Sequence, residues 1–149
     1  MKWLTGAMIY ARINLLQVNY STNTLDWQYL RNPDINQLNT IYRQYCLYKK
    51  FASVMPIFDS EYIDPKNDII GYFDKDNLVA FSLLRRYDAS NVEAVQFAWT
   101  YHKPELRLGI ESLKHECAIY KRLGYSFLYL GEADDYKRQI DGFEILGSI

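Results

Sequence analysis

The chain has 149 residues, 49% hydrophobic and 23% charged, with 17 basic against 18 acidic side chains and a net charge of −1. That length fits one domain able to bury roughly two-thirds of its unfolded surface, a core that needs neither disulfides nor a metal. The composition excludes collagen-like, low-complexity and strongly charged disordered chains, and near-neutrality argues against a DNA or membrane-surface binder. Two cysteines, Cys46 and Cys117, are too few for a disulfide scaffold and fit a reducing cytoplasm. The apolar run near Met8 is broken by Arg12 and Asn14, so no secretory leader is expected, and no stretch approaches the ~20 apolar residues of a membrane span.

Taken in chain order, residues 8–19 alternate, with Ile9, Ala11, Ile13 and Leu15 on one side and Tyr10, Arg12 and Asn14 on the other, the period of a half-buried strand. Ser21 to Thr24 is a polar turn, and Leu25–Leu30, carrying Trp27, reads as a short helical turn. Asn32-Pro33-Asp34 is a helix start signal, with Asn32 as cap and Pro33 at the first helical position. Ile35, Leu38, Tyr42, Tyr45 and Tyr48 then mark a helix to about Lys50, and residues 52–67 read as a loop. The three tyrosines of that helix suit either a stacking platform or a half-buried face with hydroxyls reaching water.

Three strands come next, Ile69–Phe73, Leu78–Arg86 and Val92–Tyr101, joined by the polar turns Asp74–Asn77 and Asp88–Asn91. Such short turns predict an antiparallel meander. After Pro104 the period changes. Ile110, Leu113, Cys117, Tyr120 and Leu123 make a buried helical stripe, and Gly124 ends it in a left-handed cap. Both cysteines fall inside helical patterns and read as core thiols. Tyr125–Leu130 is a strand whose helical crossover predicts parallel pairing, Glu132–Ile140 a short helical segment, and Phe143–Leu146 a last strand.

Chemistry concentrates at the junction Glu105-Leu106-Arg107-Leu108-Gly109-Ile110-Glu111. A helix's first turn leaves backbone donors unpaired, glycine lets a ligand approach the backbone, and Arg107 adds a charge suited to phosphate oxygens. Glu105 and Glu111 flank the loop and oppose an anion. No metal site is expected: His115 and Cys117 diverge by roughly 200° on one helix, and His102 is the other histidine. Lys114, Lys121, Arg122, Lys137 and Arg138 could steer an anionic cofactor, but they alternate with Glu111, Glu116 and Glu132 as on a solvated face.

Read together, residues 91–147 resemble the core of the GNAT acyltransferase superfamily. Pro104 to Leu113 is similar to that family's acyl-coenzyme A loop, in which Arg or Gln, two residues, Gly, one residue, then Gly or Ala recur. Here one residue separates Arg107 from Gly109, and Glu111 stands where the second small residue is expected. Tyr136-Lys137 through Asp141-Gly142-Phe143-Glu144-Ile145 resembles the later segment of helix and Gly-Phe strand. A narrower similarity, through Leu106–Gly109, Ser112-Leu113, Glu116, Leu123-Gly124 and Phe127–Gly131, runs to the C-terminal half of aminoacyl-tRNA–protein transferases.

The resemblance implies one α/β (α+β) domain over residues 1–149, a mixed, mainly antiparallel sheet with helices on both faces, lacking the family's final strand. The activity it implies is transfer of an acetyl group from acetyl-CoA, with no metal, to an amine on a small molecule or protein. Ala98, Trp99 and Thr100 would supply the backbone donor to the carbonyl oxygen, and Arg107, Leu108, Gly109 and Ile110 would hold the coenzyme. Tyr136 would protonate the leaving sulfur, and Glu93 or His102, at the two ends of the preceding strand, would serve as base. Two alternatives stay open: a non-catalytic binding protein of the same fold, pairing through its exposed sheet edge with a partner or with a second copy as a homodimer, and aminoacyl transfer from tRNA. An enzyme requires an open cleft beside Arg107, a binding module would fill it with Trp99 or Tyr129, and a tRNA user would show a continuous basic face.

Overall fold

The structure, a computed structural model, describes residues 9–22, 25–50, 57, 59–100, 107–132 and 135–148. Strand β1 (Ile9–Asn14) runs into a 3-10 turn at Leu15–Gln17, closed by the Asn14 side chain accepting from the Leu16 N–H at 3.1 Å. The predicted strand to residue 19 therefore stops five residues early, because Asn14 caps that turn. Trp27–Tyr29 is a strand, β2, rather than a helical turn. It pairs antiparallel with Tyr72–Ile70, where extended aromatic residues are favoured, and three residues are too few to nucleate a helix.

Helix α1 (Ile35–Lys49) is capped by Asp34, not Asn32: the Asp34 carboxylate accepts from the Gln37 N–H at 3.2 Å. It ends on Lys50 in a left-handed conformation, φ 56°. The stretch expected as loop contains helix α2 (Asp59–Ile63), anchored by buried Tyr62, whose hydroxyl donates to Asn39 at 3.0 Å. Strands β3 (Asn67–Asp74), β4 (Asn77–Arg86) and β5 (Asn91–Trp99) form the predicted meander. Helix α3 (Leu108–Arg122) crosses to β6 (Phe127–Glu132), which lies parallel to β5 as predicted. Gly124 takes φ +95° just past its end, as the cap signal required. The polar segment before the last strand is a 3-10 helix, Asp135–Gln139, and β7 is Phe143–Ser148.

The sheet order is β2-β3-β4-β5-β6-β1-β7, mixed and mainly antiparallel. The first strand in sequence sits between β6 and β7, so the N-terminal strand completes the C-terminal arm of the sheet. Gly142 makes that packing possible: at φ +80° its absent Cβ would lie 2.3 Å from the Asn14 carbonyl oxygen. Helices cover both faces. Leu38, Ile41, Tyr42 and Cys46 of α1 pack with Ile69, Phe81, Leu83 and Ala98 on one. Leu113, Cys117, Ile119 and Tyr120 of α3 pack with Ile70, Tyr72, Ala80 and Leu84 on the other. The alternation 69/70 and 83/84 between the two cores is the period-two signature of a sheet buried on both sides. Cys46 and Cys117 are free, buried thiols.

Two readings of α3 change. Leu123 is 58% exposed and lies outside the helix, whereas Glu116, expected on a solvated face, is 3% exposed. The helix is buried from Ser112 to Tyr120 on nearly every side except Lys114, because residues 15–22 lie over its outer face: Lys121 donates to the Val18 carbonyl and His115 meets the Thr22 carbonyl at 2.7 Å.

Candidate functional site

Strands β5 and β6 register over three residue pairs, Asn91 with Phe127, Val92 with Leu128 and Glu93 with Tyr129. Beyond them β5 continues to Trp99 and β6 to Glu132 without further pairing among the described residues, so the sheet opens as a V with Glu93 at its vertex. A bulge at Val95, where Leu83 pairs with Gln96 and Leu84 with Ala94, turns β5 as it leaves β6. After the bulge the Thr100 N–H donates to the Val79 carbonyl at 3.0 Å, toward β4. Strand alternation then directs the Trp99 N–H to the opposite edge, the side of β6. Of the three residues expected to polarise a carbonyl, Thr100 is turned away and Ala98 is fully buried in the α1-side core. Trp99 alone is aimed into the V.

The Arg107–Ile110 junction stands beside it. Leu108, 2% exposed, and Ile110, 7% exposed, anchor the first turn of α3 in the core. The first intrahelical bond is Glu111 N–H to the Arg107 carbonyl at 3.0 Å, so the N–H groups of Leu108, Gly109 and Ile110 precede any partner within the helix. Arg107 is exposed, left-handed at φ 49°, ψ 45°, with no side-chain cap bond. A Cβ at Gly109 would meet nothing within 4 Å: the backbone there faces open space.

These parts enclose a cleft of about 210 Å³ lined by Tyr45, Lys49, Phe97, Trp99, Arg107, Gly109, Ile110 and Gln139. Trp99, 7% exposed, lines it without filling it. Tyr45 meets Phe97 edge-on, centroids 6.3 Å apart, and Lys49 lies over the Tyr45 ring at 5.9 Å. Sequence reasoning missed Tyr45, Lys49, Phe97 and Gln139 as site residues. The tyrosine triplet is visible in the sequence, but three-residue spacing turns about 60° short of a full helical turn. Tyr42 is therefore buried, Tyr45 faces the cleft and Tyr48 is 62% exposed, so no stacking platform forms. A larger hollow, about 840 Å³, opens at the other end of the sheet, but its Asp68 and Arg86 are ion-paired at 3.2 Å and it touches neither Trp99 nor Arg107.

The expected catalytic groups are not all gathered here. Glu93 sits at the vertex, half-buried, accepting from the Tyr87 hydroxyl and outside the cleft wall. The Tyr136 backbone lies in the 3-10 helix whose Gln139 reaches the cleft. His102 lies outside the described residues.

The middle of α3 carries a different constellation. Burial pushes the Glu116 carboxyl up to about 7, partly offset by the Ser82 hydroxyl, donating at 2.6 Å, and the Tyr72 hydroxyl. Burial likewise raises the Cys117 thiol and lowers His115, whose ring stacks edge-on against Trp27 and Tyr72 at 5.0 and 5.8 Å. An inert, protonated thiol is no nucleophile. No group of three or more metal-ligating side chains occurs among the described residues, and no helix there is long and apolar enough to cross a membrane.

No family model matches the sequence, and no curated protein matches it. Solved structures do. L-PGS from Bacillus licheniformis superposes with a TM-score of 0.62 at 14% identity, over 88% of this chain and 50% of that one. A GCN5-related N-acetyltransferase from Kribbella flavida gives 0.61 at 11%, over 95% and 55%. An aminoglycoside acetyltransferase from an uncultured soil metagenomic sample gives 0.54 at 10%, over 78% and 82%. The chain spans about half the length of the first two. At such identities the likeness shows the fold, and the fold is that of the GNAT acetyltransferases.

Proposed function

We propose that this GNAT-fold chain is an N-acyltransferase working in the Arg107–Trp99 cleft, with acetyl-CoA as donor and an amine as acceptor. The observation that carries this reading is the coincidence, at one point, of the opened β5/β6 ladder, the Trp99 N–H aimed into it, and the donors of the α3 first turn beside Arg107. The residues fit a pyrophosphate-bearing thioester: two cations line the cleft and Gly109 leaves its backbone uncovered. When bound, such a thioester supplies an activated carbonyl, to which the amine nitrogen bonds as the carbon–sulfur bond breaks.

Arg107 and the N–H groups of Leu108, Gly109 and Ile110 hold the phosphates through charge and helix-end dipole. The Trp99 N–H donates to the carbonyl oxygen as negative charge builds on it, the fixed-dipole stabilisation that dominates acyl transfer. Glu93 lies outside the cleft wall, six residues and roughly 20 Å along β5 from Trp99. Water in the open cleft therefore receives the proton the attacking amine loses, and Tyr136 returns one to the departing sulfur. The cleft stays open with Trp99 in place, which favours an enzyme over a module that plugs it.

The test is acetyl transfer to a mixture of primary amines, with products read by mass. Tyr136→Phe is expected to lower turnover by at least about a hundredfold while leaving acetyl-CoA binding in place. Acetyl-CoA binding without transfer to any amine supports the non-catalytic alternative instead.

A further inference from the structure

The aromatic side of the cleft sets the acceptor, an inference that deepens the acyltransfer reading and rests on it. That reading assigns Arg107, the Gly109 backbone and the Trp99 N–H to the coenzyme. The lining left over is dominated by two rings, Tyr45 of α1 and Phe97 of β5, both half-buried, with the Ile110 side chain and the Trp99 ring beside them. Tyr45 and Phe97 meet edge-on, their planes 80° apart. Rings prefer that arrangement, and a third ring joins such a pair edge to face at no loss of geometry.

Size narrows the class. An apolar cavity of about 150 Å³ holds one benzene ring. A cleft of about 210 Å³ therefore takes one ring or one branched chain on a short arm, and a chain of sugar rings is too large for it. Hydration narrows it further. A hydroxyl turned toward the Phe97 ring gives up its water and gains no partner there, a cost that an apolar group does not carry. A phenyl group in the same place gains from the area it buries and from the ring contacts.

We infer that the acceptor is a primary amine on a short arm from one compact apolar group, an aromatic ring in preference to a branched chain, and that Tyr45 and Phe97 select it.

The test uses phenethylamine, isopentylamine and ethanolamine, which carry the same single ammonium on the same two-carbon arm. Charge is equal in all three, so the nearby cations act on them alike and the comparison reads the apolar group. Each is titrated into the full chain with and without coenzyme A, and each is offered as acceptor with acetyl-CoA. Phenethylamine should bind tightest, isopentylamine next, and ethanolamine at least tenfold more weakly than phenethylamine. Tyr45→Ser should cost phenethylamine at least fivefold and leave ethanolamine unchanged, while Tyr45→Phe keeps the parent's order; thermal melts confirm that both variants fold. If Tyr45→Ser does not fold, the order of the three amines in the parent and in Tyr45→Phe decides. Ethanolamine bound by the parent as tightly as phenethylamine overturns the inference. So does no phenethylamine binding, or a folded Tyr45→Ser with the parent's preference. Acetyl-CoA affinity, measured alongside, separates the two failures. A Tyr45-dependent ring preference without acetyl-CoA binding removes the acyltransfer reading and leaves the aromatic-amine site; acetyl-CoA binding without that preference does the reverse.

Discussion

The start of helix α3 and its middle follow opposite rules. Around Glu116 the groups that burial removes from water answer one another: Tyr72 and Ser82 donate to the carboxylate, and one His115 ring nitrogen meets a backbone carbonyl. Around Arg107 the helix begins in a left-handed residue without a side-chain cap, and its first N–H groups face a cleft rather than a partner in the helix. The first region closes its polar groups on themselves, His115 Nδ1 excepted, and belongs to the fold; the second leaves its first donors without a partner in the helix, the setting the proposed coenzyme site uses. Polar groups in the first kind of setting contribute stability, and those in the second kind contribute binding.

The largest effect expected from breaking this contrast is in the closed region. Glu116→Ala deletes the acceptor of two buried hydroxyls and opens a cavity, at a cost of about 3 kcal/mol or more in denaturant unfolding. A loss below about 1 kcal/mol would mean the network holds nothing together.

Next comes pH. Because burial raises Glu116 from 4.5 to about 7, the folded chain keeps a proton that the unfolded chain has released across that window. Its contribution to stability is thus greatest below pH 4.5, falls as pH rises to about 7, and is level beyond, a total of about 3 kcal/mol. Subtracting the unfolding curve of Glu116→Gln isolates it; identical slopes in the two proteins would assign the pH dependence elsewhere.

At the open start of the helix the expected change is in affinity. Gly109→Asp has room for its side chain, so the fold should survive with an unchanged thermal midpoint, while repulsion weakens acetyl-CoA at least tenfold, about 1.4 kcal/mol. Equal binding by parent and variant would remove the loop from the site.

The smallest effect is the most diagnostic of the comparison. Arg107→Gly relieves a non-glycine residue at φ 49° and should raise stability by about 1 kcal/mol, while lowering acetyl-CoA affinity. Lower stability in chemical denaturation would show that Arg107 braces the helix instead.

The meander, α3, the parallel return and the left-handed Gly124 were legible because local patterns and turns decide them. The strand at Trp27–Tyr29 was not, since its partners Tyr72–Ile70 are over forty residues away and three residues carry no period. Glu116 misled for a related reason: alternating charge reads as a wet helix face, and nothing local says that residues 15–22 fold over it. At the site, Arg107 and Gly109 could be read from a turn, and Trp99 only as one of three neighbours until the Val95 bulge set the direction of its N–H. Lys49 enters the cleft through tertiary packing of α1 against β5, seen in the Tyr45–Phe97 contact.

The central claim is that the open start of α3 is a coenzyme site and its closed middle is not. Calorimetric titration of the parent, Arg107→Ala and Glu116→Gln with acetyl-CoA tests it most directly. One micromolar site in the parent, at least tenfold weaker in Arg107→Ala and unchanged in Glu116→Gln, is the predicted result. No heat at millimolar acetyl-CoA, or binding indifferent to Arg107, would contradict it.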